Sequence, residues 1–186
     1  MWAGDREQVG WFIQGYQSAW LPASLLQPGR QAPLVDALFE AAQHQGVSLH
    51  FNKGLAGAPA DAIERARDTA TNPQVLDAFA LAISASGDDP AFPGMPGAKP
   101  DLAMARRMAS AVEQTMAPLR AAAPDAGSYV SESDYFLRDW QQGFWGGNYP
   151  RLAAAKRKYD PDGLFFVHHG VGSEDWSADG FTRLRT

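Results

Sequence analysis

The segment "WGGNYPRLAAAKRKYDPDGL", residues 145–164, contains the signals that most constrain the local fold. Pro150 suits the first position of a helix, because its fixed φ angle is helical and its missing N–H would be unpaired there. The three cations of residues 156–158 fall in the last helical turn, where they favour the helix dipole. The sequence Asp-Pro-Asp-Gly at 160–163 fits a type I turn. The segment therefore predicts a helix over 150–159 that is closed by a tight turn.

The residues just before this helix allow two interpretations. Gly146 and Gly147 lack side chains, so a flat ligand or another part of the backbone can approach closely. Asn148 at the helix start would present its amide to whatever docks there, or would simply cap the helix together with Tyr149. The residues alone do not decide between a cofactor contact and a structural turn.

Upstream, the chain alternates predicted strands and helices without the long apolar runs of a parallel sheet. Apolar periodicity predicts, in chain order, a strand over 9–20, a helix over 33–45, a strand over 47–53, a short helix over 59–69, a strand over 74–84, a long helix over 101–120, a strand over 127–136 and helical turns from Asp139. This order predicts an α+β fold, a mostly antiparallel sheet with helices packed on one face and a C-terminal helical segment. The Pro- and Gly-rich residues 84–101 predict an exposed loop, either a lid or an unstructured connection.

Charge and composition narrow the classes of function. The 186 residues carry a formal net charge of -5. This argues against a nucleic-acid partner, because phosphate binding needs a clustered basic surface. No stretch approaches the roughly 18 consecutive apolar residues of a membrane helix, so no membrane partner is expected. The absence of cysteine excludes disulfides and thiolate chemistry. The charged N-terminus does not resemble a signal peptide, and the compartment is left unknown.

Two groups of titratable side chains suggest chemistry. His168 and His169 are adjacent, and on a strand they would point to opposite faces, so we expect no metal site. Tyr129 and Glu132 lie on the last predicted strand and, by the same alternation, on opposite faces. Glu132 and Asp134 share a face, where they would serve either as acid–base groups or as a solvated strand surface.

The C-terminal motifs together resemble those of a known family. The residues W-G-G-N-Y-P-R-L and K-R-K-Y-D-P-D-G-L-F, with the upstream S-Y-V-S-E-S-D-Y and the tail H-H-G-V-G-S-E-D-W, resemble the C-terminal segment of berberine-bridge-enzyme-like FAD-linked oxidases. That family belongs to the vanillyl-alcohol-oxidase (VAO) superfamily of PCMH-type flavoproteins. The resemblance is close over residues 128–176 and looser upstream.

The resemblance implies FAD as the cofactor and a small molecule as the substrate. It implies that residues 1–136 form part of a substrate-binding domain. Residues 137–186 would form a berberine-bridge-like segment that packs on an FAD-binding domain. We expect that domain to be absent from this chain and to act as its partner, with the chain as the C-terminal part of a longer enzyme.

The resemblance also assigns roles to individual residues. Asn148 and Tyr149 correspond to the family's Asn-Tyr pair beside the isoalloxazine ring. Tyr129 corresponds to the family's active-site tyrosine, and Tyr129 and Glu132 are the candidates for the catalytic base. Ser131 departs from the family pattern, which commonly has asparagine there. The implied reaction is oxidation of an alcohol, amine or sugar-like molecule by hydride transfer to flavin. The alternative is a stand-alone, non-catalytic binding module with the same fold.

Overall fold

The computed structural model describes residues 11–51, 55, 58–89, 91 and 99–184, and within them one sheet of three strands. The strands are β1 (Phe12–Pro22), β2 (Ser48–Phe51) and β3 (Ala78–Asp88). They lie in the order β1-β3-β2, and both pairings are antiparallel. The long central strand β3 is therefore the element to which the other two are hydrogen-bonded.

The described helices follow the predicted order along the chain. They are α1 (Gln31–Ala42), α2 (Ala60–Arg67), α3 (Leu102–Ala122), α4 (Trp140–Trp145) and α5 (Tyr149–Tyr159). Short 3-10 turns cover Ala23–Leu26, Pro73–Leu76, Gly146–Asn148 and Ser173–Asp175. Asp101 is the N-cap of the longest described helix, α3. Its carboxylate accepts hydrogen bonds from the backbone N–H groups of Ala103 and Met104. This N-cap satisfies two donors that the helix itself cannot pair.

The hydrophobic core lies between one face of the sheet and the helices α1 and α3. Its buried members are Ala19, Leu21, Leu25, Leu34, Ala37, Ala41, Ala82, Met116, Leu119 and Ala123. Gly15 in β1 lets α3 approach, because a Cβ there would lie 3.2 Å from the Cα of Ala109. Helices covering one face of an antiparallel sheet confirm the predicted α+β fold.

The prediction of a strand over 127–136 is wrong. The segment consists of turns with one isolated bridge, between Tyr129 and Glu132. The N–H of Ser128 donates to Gly143 at 2.8 Å, and the carbonyl of Gly127 accepts from Trp20 at 2.9 Å. Because its backbone groups are used by other parts of the molecule in this way, the segment forms no ladder.

Three further details concern α1, the next predicted strand and the predicted loop. The buried side of α1 includes Leu34 and Ala37, whereas Phe39 is 71% exposed. The strand predicted over 74–84 begins only at Ala78, because the preceding residues form a 3-10 turn that Asn72 caps. Most of the loop predicted over 84–101 lies outside the described residues, and so does the choice between a lid and a connection.

Candidate functional site

The turn that carries Tyr129 and Glu132 packs against β1. The backbone N–H of Tyr129 donates to the Ser18 hydroxyl at 3.0 Å, and its ring lies 6.0 Å from that of Trp20. The hydroxyl of Tyr16 lies near the Glu132 carboxylate. Burial, and then the nearby Glu132, raise the pKa of Tyr16. The two predicted base candidates therefore pair across one turn, and the expectation that they occupy opposite strand faces is wrong.

A cavity of about 950 Å³ lies beside this turn. Its described lining comes from the first half of β1, the first half of α3, the segment 130–136 and three aromatic residues near the C-terminus: Phe144, His168 and His169. Tyr16 is part of the lining, whereas Tyr129 and Glu132 are not. A cavity of this size is ordinary for a small-molecule site. The Tyr16 hydroxyl thus lies between the cavity and Glu132.

His168 and His169 lie in a turn and not on a strand. The N–H of Gly170 closes the turn by donating to the carbonyl of Val167 at 2.9 Å, and His169 has a φ of +56°. In this conformation the two imidazole rings stack, with their centroids 3.8 Å apart. The prediction that they point to opposite faces is therefore wrong. Among the residues that the structure describes, no group of three or more His, Cys, Asp or Glu side chains could hold a metal ion.

Burial sets the electrostatics of this histidine pair. It lowers the pKa of His169, and the adjacent His168 lowers it further. Asp134 opposes that shift. The Asp134 carboxylate is already held in place, because it accepts hydrogen bonds from Gln17 at 3.3 Å and from the N–H of Phe136 at 2.8 Å.

Asn148 anchors the turn before α5. Its side-chain amide donates to the backbone carbonyls of Arg67 at 3.1 Å, Thr69 at 2.9 Å and Thr71 at 3.0 Å. The side chain makes no capping hydrogen bond to α5. The sequence left a cofactor contact and a helix cap open for this amide. The structure shows a different use, in which Asn148 ties the Gly-Gly-Asn turn to the loop after α2.

Tyr149 holds the C-terminal tail against α5. Its hydroxyl donates to the Glu174 carboxylate, at 2.5 and 2.6 Å from the two oxygens, and accepts from the N–H of Gly172 at 3.2 Å. Burial, and then the hydrogen bond to Glu174, raise the pKa of Tyr149 well above its ordinary value. The ring packs against Trp140 and Trp145. The hydroxyl is therefore fully used inside the chain.

The C-terminal part of the chain exposes a surface of large apolar side chains, which we call the apolar surface: Tyr159, Leu164, Phe165, Val167, Phe181 and Leu184. The turn after α5 is held by the ion pair of Lys156 and Asp160, and the same carboxylate accepts from the N–H groups of Leu164 and Phe165. The backbone of Leu164 and Phe165 is thus fixed while their side chains are exposed. Large exposed apolar patches mark interaction sites.

Solved structures give the class of protein. The crystal structure of a VAO-type flavoprotein from Myceliophthora thermophila C1 matches with a TM-score of 0.65 and 28% identity, over 88% of this chain and 28% of that chain. A second VAO-type flavoprotein from the same organism matches with a TM-score of 0.61 and 22% identity, which shows likeness of fold alone. The described fold is similar to the part of a VAO-type flavoprotein that the chain covers.

Sequence comparisons then give the family. The family model "Berberine and berberine like" matches residues 128–172. An FAD-linked oxidoreductase of Aspergillus versicolor is 42% identical over 90 residues, which are 48% of this chain and 14% of the relative. A VAO-type flavoprotein oxidase of Thermothelomyces thermophilus is 42% identical over 81 residues, 44% of this chain and again 14% of the relative. Residues 128–172 of the chain thus match the berberine-bridge-enzyme-like family, as the C-terminal motifs predict, and the chain spans about 14% of the length of these relatives. No described helix is long and apolar enough to cross a membrane.

Proposed function

We propose that this chain is the substrate-side and C-terminal part of an FAD-dependent oxidoreductase. The enzyme would oxidise an alcohol, amine or sugar-like small molecule by hydride transfer to flavin. The observation that carries the proposal is a cavity of about 950 Å³ lined by Tyr16, which lies near Glu132, in a chain whose relatives are FAD-linked oxidoreductases. Those relatives support FAD as the cofactor.

Glu132 is the better candidate for the catalytic base. A carboxylate accepts a proton at neutral pH without help, whereas a tyrosine hydroxyl ordinarily ionises near pH 10. Glu132 is also connected to the cavity through Tyr16, while Tyr129 packs its ring on Trp20. Tyr129 would then position the turn that carries Glu132, since the bridge between them is part of that turn.

The Gly-Gly-Asn turn fits a contact with a flat group such as the flavin ring. A Cβ built on Gly147 meets no atom within 4 Å, so its open side can be approached closely. The Asn148 amide N–H groups are used, which leaves its side-chain oxygen as the group that can accept a hydrogen bond. Tyr149 would support this turn through its ring and its bond to Glu174. Bound FAD supplies the hydride acceptor, and these residues would hold its position.

The partner of the apolar surface would be the FAD-binding domain. The chain covers 28% of the length of the solved VAO-type flavoprotein, so most of such an enzyme lies outside it. A segment that exposes Leu164 and Phe165 while fixing their backbone through Asp160 is suited to pack on another domain. We therefore keep the proposed division into a substrate-binding part, residues 1–136, and a C-terminal segment, residues 137–186.

The cavity also supports the alternative, a non-catalytic binding module. It is formed by residues of this chain, so a ligand can bind there without flavin. The two proposals differ in whether flavin contacts the chain.

Titration of the purified chain with free FAD, followed by flavin fluorescence, separates them. The oxidoreductase proposal predicts quenching in the wild-type chain that is weakened by Gly147→Val, which fills the open side of the turn. The matched control Gly46→Val, also at a glycine with open space around it, should leave quenching unchanged. Absence of quenching, in the chain and in its complex with the FAD-binding domain, would contradict the flavin role and favour the binding module.

A further inference from the structure

Four aromatic rings form a continuous stack beside the cavity, which we call the ring ladder. Tyr135 stacks on His168 with centroids 4.0 Å apart and an interplanar angle of 14°. His168 stacks on His169 at 3.8 Å, and His169 stacks on Trp140 at 5.3 Å and 13°. The ladder joins the segment 130–136 and helix α4 to the histidine turn, which follows α5 in the chain. Three of its members, Tyr135, His168 and His169, form part of the cavity wall.

One protonated histidine ring is compatible with the ring ladder, whereas two are not. A single imidazolium next to the faces of tyrosine and tryptophan is attracted by their π systems. Two imidazolium rings whose centroids are 3.8 Å apart repel each other, because they are like charges in direct contact. The histidine pair therefore differs from either residue alone in its response to acid.

Charged residues of both signs surround the histidine pair. Asp134 is the carboxylate that acts on His169, and it accepts a hydrogen bond from Gln17 and interacts with the half-buried Arg120. Two further charged residues of opposite sign, Arg106 and Glu113, line the same cavity from α3. Two cations thus accompany the two carboxylates, so these four groups carry no net negative charge that would favour a second proton on the pair.

We propose that the second proton taken up by the His168–His169 pair opens the ring ladder and, with it, this wall of the cavity. Two geometric features favour opening once the rings repel. The left-handed conformation of His169 is unfavourable for a residue other than glycine, and its ring is stacked on those of His168 and Trp140. The turn itself is closed by one backbone hydrogen bond, from Gly170 to Val167. If the cavity is the substrate site, as the proposed function holds, the opening is a pH control on that site.

The direction of the pH effect follows from the burial of His169. Its pKa in the folded chain lies below the ordinary value, so the unfolded chain binds the proton more readily. The stability contributed by the neutral ring is therefore present above the ordinary histidine pKa, about 6.5, and is lost as the pH falls below it. Opening is expected on the acid side.

The direct test is an NMR titration of the histidine ring signals in the complete chain between pH 8 and pH 4.5. The pair should take up its protons in two steps separated by at least about one pH unit, as strongly interacting sites do. The exchange protection of the Gly170 amide should fall at least tenfold across the second step. A single shared step, or unchanged protection of Gly170 over the whole range, would overturn the proposal.

Two substitutions sharpen the test. His168→Phe keeps an aromatic ring in the ladder and removes one charge, so the acid loss of Gly170 protection should disappear. His50→Phe, at an exposed histidine in β2, should retain the full acid response. A His168→Phe chain that still opens in acid would contradict the proposal. If this variant does not fold, the wild-type titration decides alone. Neither measurement involves FAD, so failure of the pH control and failure of the proposed function give different results.

Discussion

The core and the C-terminal segment of this chain bury different kinds of side chain. In the core, β1, α1 and α3 meet through aliphatic residues, with Leu21, Met116 and Leu119 completely buried. In the described residues 137–184, the buried apolar side chains are Trp140, Phe144 and Ala153, and the six side chains of the apolar surface are exposed. Polar contacts also hold this segment together, among them those of Asn148, Tyr149 and Lys156.

The difference shows which region can be stable by itself. Burial of aliphatic surface stabilises the core without any partner. Directed hydrogen bonds shape the C-terminal segment instead, and each contributes only about 1 kcal/mol of net stability. Such a segment is well defined in shape but leaves its apolar surface available for another domain. Substitutions should therefore cost the most free energy of unfolding in the core and less in the C-terminal segment.

The largest expected effect is that of Leu119→Ala. The side chain is fully buried between α3 and the sheet, so its truncation leaves a cavity. We expect the free energy of unfolding to fall by about 2–5 kcal/mol, measured by urea denaturation. The matched control Leu164→Ala, at a leucine that is 82% exposed, should change it by less than about 0.5 kcal/mol. Equal losses in the two variants would remove the contrast between core and C-terminal segment.

A smaller effect is expected for Tyr149→Phe. The substitution keeps the ring packing on Trp140 but removes the hydroxyl that donates to Glu174 and accepts from Gly172. Because the acceptor is a carboxylate, we expect a loss of about 1.5 kcal/mol and faster proteolysis of the tail after Gly172. Tyr159→Phe, at an exposed tyrosine of the same helix, serves as control. A tail as resistant to protease as in the wild type would show that this network does not hold it.

Asn148→Ala should have the smallest effect on stability. Its three acceptors are backbone carbonyls in mostly exposed positions, where water can replace the amide. We expect a loss of about 1 kcal/mol in urea denaturation, with the core transition otherwise unchanged. Asn148→Asp, which keeps the shape but removes the donors, should lose about as much. A loss as large as that of Leu119→Ala would place this turn in the cooperative core.

Much of the core could be predicted from the sequence because local pattern and tertiary packing agree there. The long helix predicted over 101–120 is present as α3, and its apolar residues Val112, Met116 and Leu119 recur at helical spacing and are buried. The candidate site was less predictable, since partners distant in sequence decide its turns. Ser18 and Gly143 take up the backbone groups of the segment predicted as the last strand. The stacking of the two histidines likewise depends on a turn that strand alternation does not anticipate.

The roles expected for the site residues rest on the family resemblance. Alternation separated Tyr129 from Glu132, whereas the structure joins them by a bridge and places Tyr16, which no motif marks, near Glu132. An aromatic residue on a strand is most simply expected to be core. The proximity of Tyr16 to Glu132 is a tertiary contact, so no spacing in the sequence could have indicated it.

We propose that Glu132 takes the substrate proton. The rate of flavin reduction in the complete enzyme tests this role most directly. Glu132→Gln should lower that rate by about 10²-fold or more, because general-base catalysis contributes 10²–10⁴-fold, while flavin content stays the same. The control Glu40→Gln, on the exposed side of α1, should reduce flavin at the wild-type rate. A Glu132→Gln enzyme that is within about twofold of the wild-type rate, far below the contribution of a general base, would contradict the account.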